Sequence, residues 1–426
     1  MWSPYHEVWL SGRMFGLVAA ALPTRDCGRL PAVCRTVCAE VRAVRPCISL
    51  FLSSEHTLDL LAWIENVAYF RIAEVHLRGN LQLPSTAAFA CCAGLRVVHL
   101  DRCERLTDMR HLADCADLRA LRLLGCEQLA DLRPLARCRR LESLALSDLD
   151  LVVELSGLMG CDAIEQLELT ECCNLADISA LASLPSLRRL SLSSCATLTD
   201  LLPLQQCWLL EELDASYNSM LSDVSPLGQC QGLREVDLSG SRKLTDVAPL
   251  ARCLGLQTLH LARCAQLVDV SPLARCTCLR ALAMSRCAQL SDISPLAGCR
   301  ELRVLNLSRC MRLTDISPLA ACQGIRELYL SWCQELADVS PLAACAALEV
   351  LDISRCQSIV DVSPLATCAS LRLLNLAGCR RIGTVAALKR IPRLRIIATE
   401  TGLPEHEGMA PPALRRPMKP RVRGLH

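Results

Sequence analysis

A 23-residue period runs through most of this chain and constrains its architecture more than any other property. From Leu95 the pattern L-x-x-L-x-L-x-x-C-x-x-L-x-D-x-S-P-L-x-x-C-x-x restarts at Leu118, Leu141, Ile164, Leu187, Leu210, Leu233, Leu256, Leu279, Leu302, Ile325, Leu348, Leu371 and Leu394. A weaker copy at residues 72 to 77 stands one period upstream. A unit this short cannot enclose a core of its own, so neighbours must stack and bury one another's leucines. The alternation of Leu259 and Leu261 with Thr258, His260 and Ala262 is that of a short strand with one buried face. Successive strands are expected to pair in parallel along one side of the stack. On the other side, Asp269-Val270-Ser271-Pro272-Leu273-Ala274 predicts a short helix or 3₁₀ turn. Ser271 would cap it, Pro272 would sit where its missing N–H costs nothing, and Leu273 would face inward. Asp recurs ahead of this turn from repeat to repeat. That points to turn formation and capping, since a calcium ladder would need denser oxygen ligands.

Twenty-two of the 29 cysteines occupy two positions of the repeat, ten at the ninth and twelve at the twenty-first. A small buried hydrophobe with weak hydrogen-bonding capacity suits both places. Evenly stacked repeats do not supply disulfide geometry, so reduced thiols and a cytoplasmic or nuclear protein are expected. No C-x-x-C pair is backed by a second at finger-like spacing, and neither a metal nor a cofactor is expected. Aromatic residues are only 3% of the chain, so the core must be thin aliphatic layers. Two repeats depart from the pattern. Leu149 and Glu154 replace Cys and Asp in one, and Ala215 replaces the second strand leucine in another, leaving room for a local change of curvature.

The array resembles the leucine-rich repeats. That resemblance implies an α/β solenoid, a horseshoe over residues 72–397 with a parallel concave sheet and short convex helices or 3₁₀ turns. The D-I-S-P-L-A phrase is similar to internalin and phosphatase-regulator subtypes. The 23-residue, cysteine-bearing blend resembles repeat proteins of kinetoplastid protozoa, some described as cyclase regulators. Residues 1–71 hold eight of the thirteen Phe, Trp and Tyr residues and are expected to form a small α-helical cap over the open end. Within them, Leu22-Pro23-Thr24-Arg25-Asp26-Cys27-Gly28-Arg29-Leu30-Pro31-Ala32-Val33-Cys34-Arg35 resembles the middle of an F-box, the helical module that docks a ubiquitin-ligase substrate receptor onto its adaptor. The resemblance implies adaptor contacts at Leu22, Pro23, Asp26, Leu30, Val33 and Cys34. Val37 stands where that family has Trp, and Cys27 where it has Leu. A plain apolar cap is the other reading of the same residues. Residues 398–426, basic and proline-rich, are expected to be a disordered tail.

With 46 basic and 44 acidic residues, the chain has no global field to hold nucleic acid or an anionic membrane. No stretch reaches the roughly 20 apolar residues of a spanning helix, and the segment after Arg13 is a poor leader. Catalytic signatures are missing as well. What remains is a surface. The exposed strand residues should line a concave face with an acidic centre, represented by Glu168, Glu212, Asp214 and Asp237. Farther along come His260 and a row formed by Arg263, Arg286, Arg309 and Arg355. Tyr217, Tyr329 and Trp332 project to this face or its edge. Tyr, Trp and Arg are the types enriched in interface hot spots, and Tyr329 and Trp332 beside Arg309 and Arg355 form the best single patch. Nucleic acid is not expected there, because the acidic centre repels phosphate and the basic row is short. The expectation is a monomeric, non-catalytic protein that grips a protein partner. Its sharper form is the substrate-recognition subunit of a cullin-type ubiquitin ligase. The alternative is a free-standing scaffold or a regulatory subunit of the phosphatase or adenylate-cyclase kind. An extracellular adhesin would require a working leader and oxidised cysteines.

Overall fold

The computed structural model describes residues 47–53, 71–79, 83–90, 92 and 94–401, with only the backbone described for 47–53 and for 71 and 72. The F-box-like run and the tail from residue 402 onward lie outside these residues. The chain divides into two compact units, Met1–Leu256 and Gln257–His426. In the first unit, strands β1 (Cys47–Ser53), β2 (Arg71–Arg78) and β3 (Val97–Asp101) begin a parallel sheet that ends with β9 (Glu235–Asp237). The second unit repeats the arrangement from β10 (Thr258–His260) to β16 (Arg395–Ile397). Within each unit every strand pairs with its successor in the chain.

Within each unit the register advances by one period, as in Val97↔Ala120 and Thr258↔Ala281. The departing repeats keep it too: Ser143↔Gln166 and Glu212↔Glu235 show no shift. Leu149 and Ala215 are simply buried in place of the usual residues. Two deviations fall elsewhere. Strand β1 lies in the segment expected to be a helical cap, and it pairs Cys47↔Arg71 and then Ser49↔Glu74 across a bulge. Those offsets exceed the period by one and then two residues, which is why the repeat pattern conceals the strand. At the far end Leu374 pairs with Ile396, one residue short of the period. Ile391 still fills the buried place of the twenty-first-position cysteine. The shortening therefore follows it, around Pro392 and Arg393, whose φ is +65°.

Behind the sheet lie five-residue 3₁₀ turns such as Ser271–Arg275 and Ser317–Ala321. A segment this short suits the tighter winding better than an α-helix. Its capping differs from the expectation that Ser271 is the cap. Ser271 is the first residue of the turn, and its backbone N–H donates to the carboxylate of Asp269 at 2.7 Å while its hydroxyl donates to the second oxygen at 3.1 Å. The acceptor belongs two residues earlier because the turn itself starts at Ser. Glu154, which stands in for Asp, accepts from Ser156 in the same way at 2.9 and 2.7 Å. The Ser N–H donors hold the carboxyls of Asp177, Asp292 and Asp361 below the ordinary carboxylate range.

The cysteines join one repeat to the last. Ninth-position thiols donate to a carbonyl at the end of the preceding strand, Cys310 to Met284 at 3.2 Å and Cys356 to Leu330 at 3.0 Å. Twenty-first-position thiols donate to the preceding 3₁₀ turn, Cys299 to Leu273 at 3.3 Å and Cys322 to Leu296 at 3.1 Å. A buried carbonyl needs a donor, and a thiol supplies a weak one without adding a bulky polar group. Asn218 does the same work through Nδ2, which donates to Leu192 at 2.9 Å and Ala215 at 3.0 Å. The cysteines whose side chains are described are thiols rather than half-cystines. Burial pushes the thiols up, Cys138 to about 12 and Cys161 to about 11.

Candidate functional site

Where each strand ends, the chain must turn sharply so that the ninth-position residue points inward. The residue at the turn, the eighth of the repeat, takes a left-handed conformation. In the second unit these are Arg263 (φ +63°), Arg286 (+62°), Arg309 (+63°), Trp332 (+63°), Arg355 (+60°), Gly378 (+77°) and Glu400 (+61°). A left-handed backbone costs a non-glycine residue roughly 1–2 kcal/mol. The ladder holds it there: the N–H groups of Arg263, Arg286, Arg309 and Trp332 donate to Ser285, Ser308, Ser331 and Ser354 of the next repeat at 2.7, 2.8, 2.7 and 2.8 Å.

Three eighth-position side chains of this row, those of Arg309, Trp332 and Arg355, meet one another. The guanidinium of Arg309 lies 4.8 Å from the Trp332 ring centroid, and that of Arg355 lies 4.8 Å from the same centroid. Trp332 thus bridges two cations. The stem of Arg355 rests on Gly378, where an added Cβ would come 2.9 Å from Arg355 Cγ. A side chain at 378 would displace it. Arg355 Nη2 lies 3.8 Å from Glu400. Arg263, Arg286 and Arg309 follow one another directly, and among the described residues none of the three has an ion-pair partner. Repulsion from Arg309, then burial and Arg263, holds the guanidinium of Arg286 below its usual value.

The structure brings Arg309, Trp332 and Arg355 together as one stack. Tyr329, expected in the same patch, sits half-buried in its strand with its hydroxyl donating to Glu327 at 2.8 Å. His260 Nε2 is buried without a hydrogen-bond partner. The acidic candidates belong to the first unit and are partly occupied. Glu212 pairs with Arg189 at 3.3 Å. Asp214 and Asp237 accept from the backbone N–H of Ser216 and Ser239 at 2.9 and 2.8 Å, so they stabilise their own strand ends. Asp352 does likewise for Ser354 in the second unit. Glu168 is half-buried in the strand Gln166–Glu168, and Tyr217 is 43% exposed on the first unit's left-handed row. The F-box-like residues Leu22, Pro23, Asp26, Leu30, Val33 and Cys34 lie outside the described residues.

The arginine row is legible in the sequence but its left-handed backbone is not, although Gly125, Gly240 and Gly378 at the same repeat position hint at it. Trp208 was missed too, and it is 69% exposed in the first unit. Among the described residues no group of three or more His, Cys, Asp and Glu side chains is placed to hold a metal ion. Nor is any helix among them long and apolar enough to cross a membrane.

No protein-family profile and no curated protein matches the chain. Solved structures do. A leucine-rich repeat protein of Leptospira interrogans is 16% identical over 82% of this chain and all of its own, with a TM-score of 0.52. The functional domain of InlJ from Listeria monocytogenes, described as including a cysteine ladder, is 18% identical over 75% of this chain and 63% of its own, with a TM-score of 0.54. The TLR13 chain of the TLR13–ssRNA13 complex is 18% identical over 75% of this chain and 52% of its own, with a TM-score of 0.56. At such identities the likeness establishes the fold, a leucine-rich repeat solenoid.

Proposed function

We propose that this leucine-rich repeat solenoid is a non-catalytic protein-binding subunit, with the row Arg263, Arg286, Arg309, Trp332 and Arg355 as its partner surface and Tyr329 beside it. The Arg309–Trp332–Arg355 stack carries the reading. The fold itself would accept glycine at the eighth position, as it does at Gly378. Instead the chain keeps large side chains there against a backbone cost, and it sets three like charges in succession. Neither choice helps the core. Arg and Trp are the residues that dominate interface hot spots, and a guanidinium already fixed against a ring loses less freedom on binding.

The test uses glycine because the left-handed backbone tolerates it. Trp332→Gly is expected to leave the melting temperature unchanged, yet weaken capture of the native partner by about tenfold, the effect of one hot-spot residue. Capture equal to that of the wild type would place the partner elsewhere.

The F-box-like run supports a sharper form of this proposal, a substrate-recognition subunit of a cullin-type ubiquitin ligase acting in the cytoplasm or nucleus. The alternative, a free-standing scaffold or a regulatory subunit of the phosphatase or cyclase kind, needs no adaptor at the amino-terminal end. Full-length protein is expected to co-purify with a ligase adaptor, and Leu22→Ala combined with Val33→Ala is expected to abolish that association. If the doubly substituted protein still holds the adaptor, the ligase reading fails and the alternative stands.

A further inference from the structure

Resting on the partner-surface reading above, we propose that the row in the second unit recognises an extended acidic peptide, whose carboxylate or phosphate groups lie along Arg263, Arg286 and Arg309 and reach Arg355. Three observations carry this. First, the arginines are spaced by the sheet: neighbouring strands lie about 4.8 Å apart, so four steps from Arg263 to Arg355 cover about 19 Å, the length of some six extended residues. Second, Arg263, Arg286 and Arg309 are not matched by ion pairs among the described residues, and Arg286 is held down by its like-charged neighbours. An anion laid across them relieves that repulsion, and each guanidinium offers a planar fork to an oxyanion. Third, the stack on Trp332 fixes Arg309 and Arg355, while Gly378 leaves space for the stem of Arg355. The row is therefore shaped before its ligand arrives.

Single-stranded nucleic acid is also anionic, but it binds best where aromatic rings are free to stack on bases. Here the Trp332 ring already stacks with two guanidiniums and the Tyr329 hydroxyl is turned to Glu327. The carboxylates of Glu327 and Asp352 lie in the neighbouring strands and disfavour a continuous phosphodiester chain. A peptide can set neutral residues opposite them.

Fluorescence anisotropy on the full-length protein tests this with three labelled probes: an oligoglutamate peptide, the same peptide length bearing phosphoserines, and an oligothymidylate of equal charge. Either peptide is expected to bind, with affinity falling about tenfold as salt rises from about 0.05 to 0.3 M, since exposed charges are screened over that range. Arg286→Gly is expected to weaken peptide binding about tenfold or more. Arg102→Gly, at the equivalent backbone position in the first unit, is expected to change nothing. Absence of binding by both peptides, indifference to Arg286→Gly, or tighter binding of the oligonucleotide would overturn the inference. If Trp332→Gly loses the native partner while no acidic peptide binds, the surface stands and only its assigned chemistry falls.

Discussion

Raising the pH from about 8 to about 10.5 under reducing conditions is expected to unfold the second unit in one steep transition. Ten of its buried thiols are pushed up by burial, among them Cys276 to about 11 and Cys287 and Cys299 to about 12. In the unfolded chain a thiol titrates near 8.5. Below that value both states keep the proton, and native stability is complete. Above it the unfolded chain releases protons that the folded chain retains. Each thiol then lowers stability by roughly 1.4 kcal/mol per pH unit until its folded value is reached. Ten acting together give a slope on the order of 10 kcal/mol per pH unit, as large as the whole stability of an ordinary domain. Circular dichroism at constant ionic strength follows the loss, and alkylation supplies a second readout. Among the cysteines whose side chains are described, the exposed Cys173 and Cys278 should react first at neutral pH, with the ladder joining only through the transition. Cys310→Asn with Cys356→Asn, copying the arrangement at Asn218, removes two titrating groups and should move the midpoint upward. Strand signal that persists undiminished at about pH 11 would refute the account.

A methyl group added at Gly157 is expected to destabilise the first unit by about 3 kcal/mol, at the upper end of overpacking costs. The 3₁₀ turn there, Ser156–Leu158, is shorter than its five-residue relatives and lies against the backbone of the preceding repeat. An added Cβ would clash with the carbonyl carbon and oxygen of Leu132 and come 2.6 Å from Arg133 N. These are backbone atoms, and no side chain can swing aside to make room. Most other repeats carry proline at this place, so restoring the common pattern looks like an obvious stabilising substitution. The geometry predicts the opposite: Gly157→Pro should melt below Gly157→Ala, and both below the wild type, in thermal unfolding followed by circular dichroism. A Gly157→Pro protein that melts at or above the wild type would show that the close approach is absent.

Most of the scaffold was legible because burial has a period. Leu259 and Leu261 announce a strand face, Cys310 and Cys322 announce two inward positions, and Asp269 announces a turn. Features that break or exceed the period were not legible. Strand β1 hides behind offsets longer than the repeat, and the last register slips after Ile391. Whether Ser271 or Asp269 caps the turn depends on where the turn starts, which a pattern leaves undetermined by a residue. For the site, alternation shows which side chains leave the core but not what they touch. Asp214 and Asp237 therefore read as partner-facing acids, although their oxygens accept bonds from their own strand ends. Arg309, Trp332 and Arg355 could be aligned by counting, while their stacking follows from a backbone conformation that no side-chain pattern encodes.

From Arg309 to Gly378 each eighth-position residue leans on its successor, and the backbone beneath accepts arginine, tryptophan or glycine alike. The row can therefore be rewritten by whole-unit duplication or loss. Excision of residues 310–332 would leave the core in phase and seat Arg309 directly beside Arg355, closing the gap now filled by a ring. Copying the same stretch would add a second ring and lengthen the spacing. Genes built from equal modules recombine in just this way, so a lineage carrying such a chain could alter what it recognises by editing one rung while every leucine and thiol kept its place.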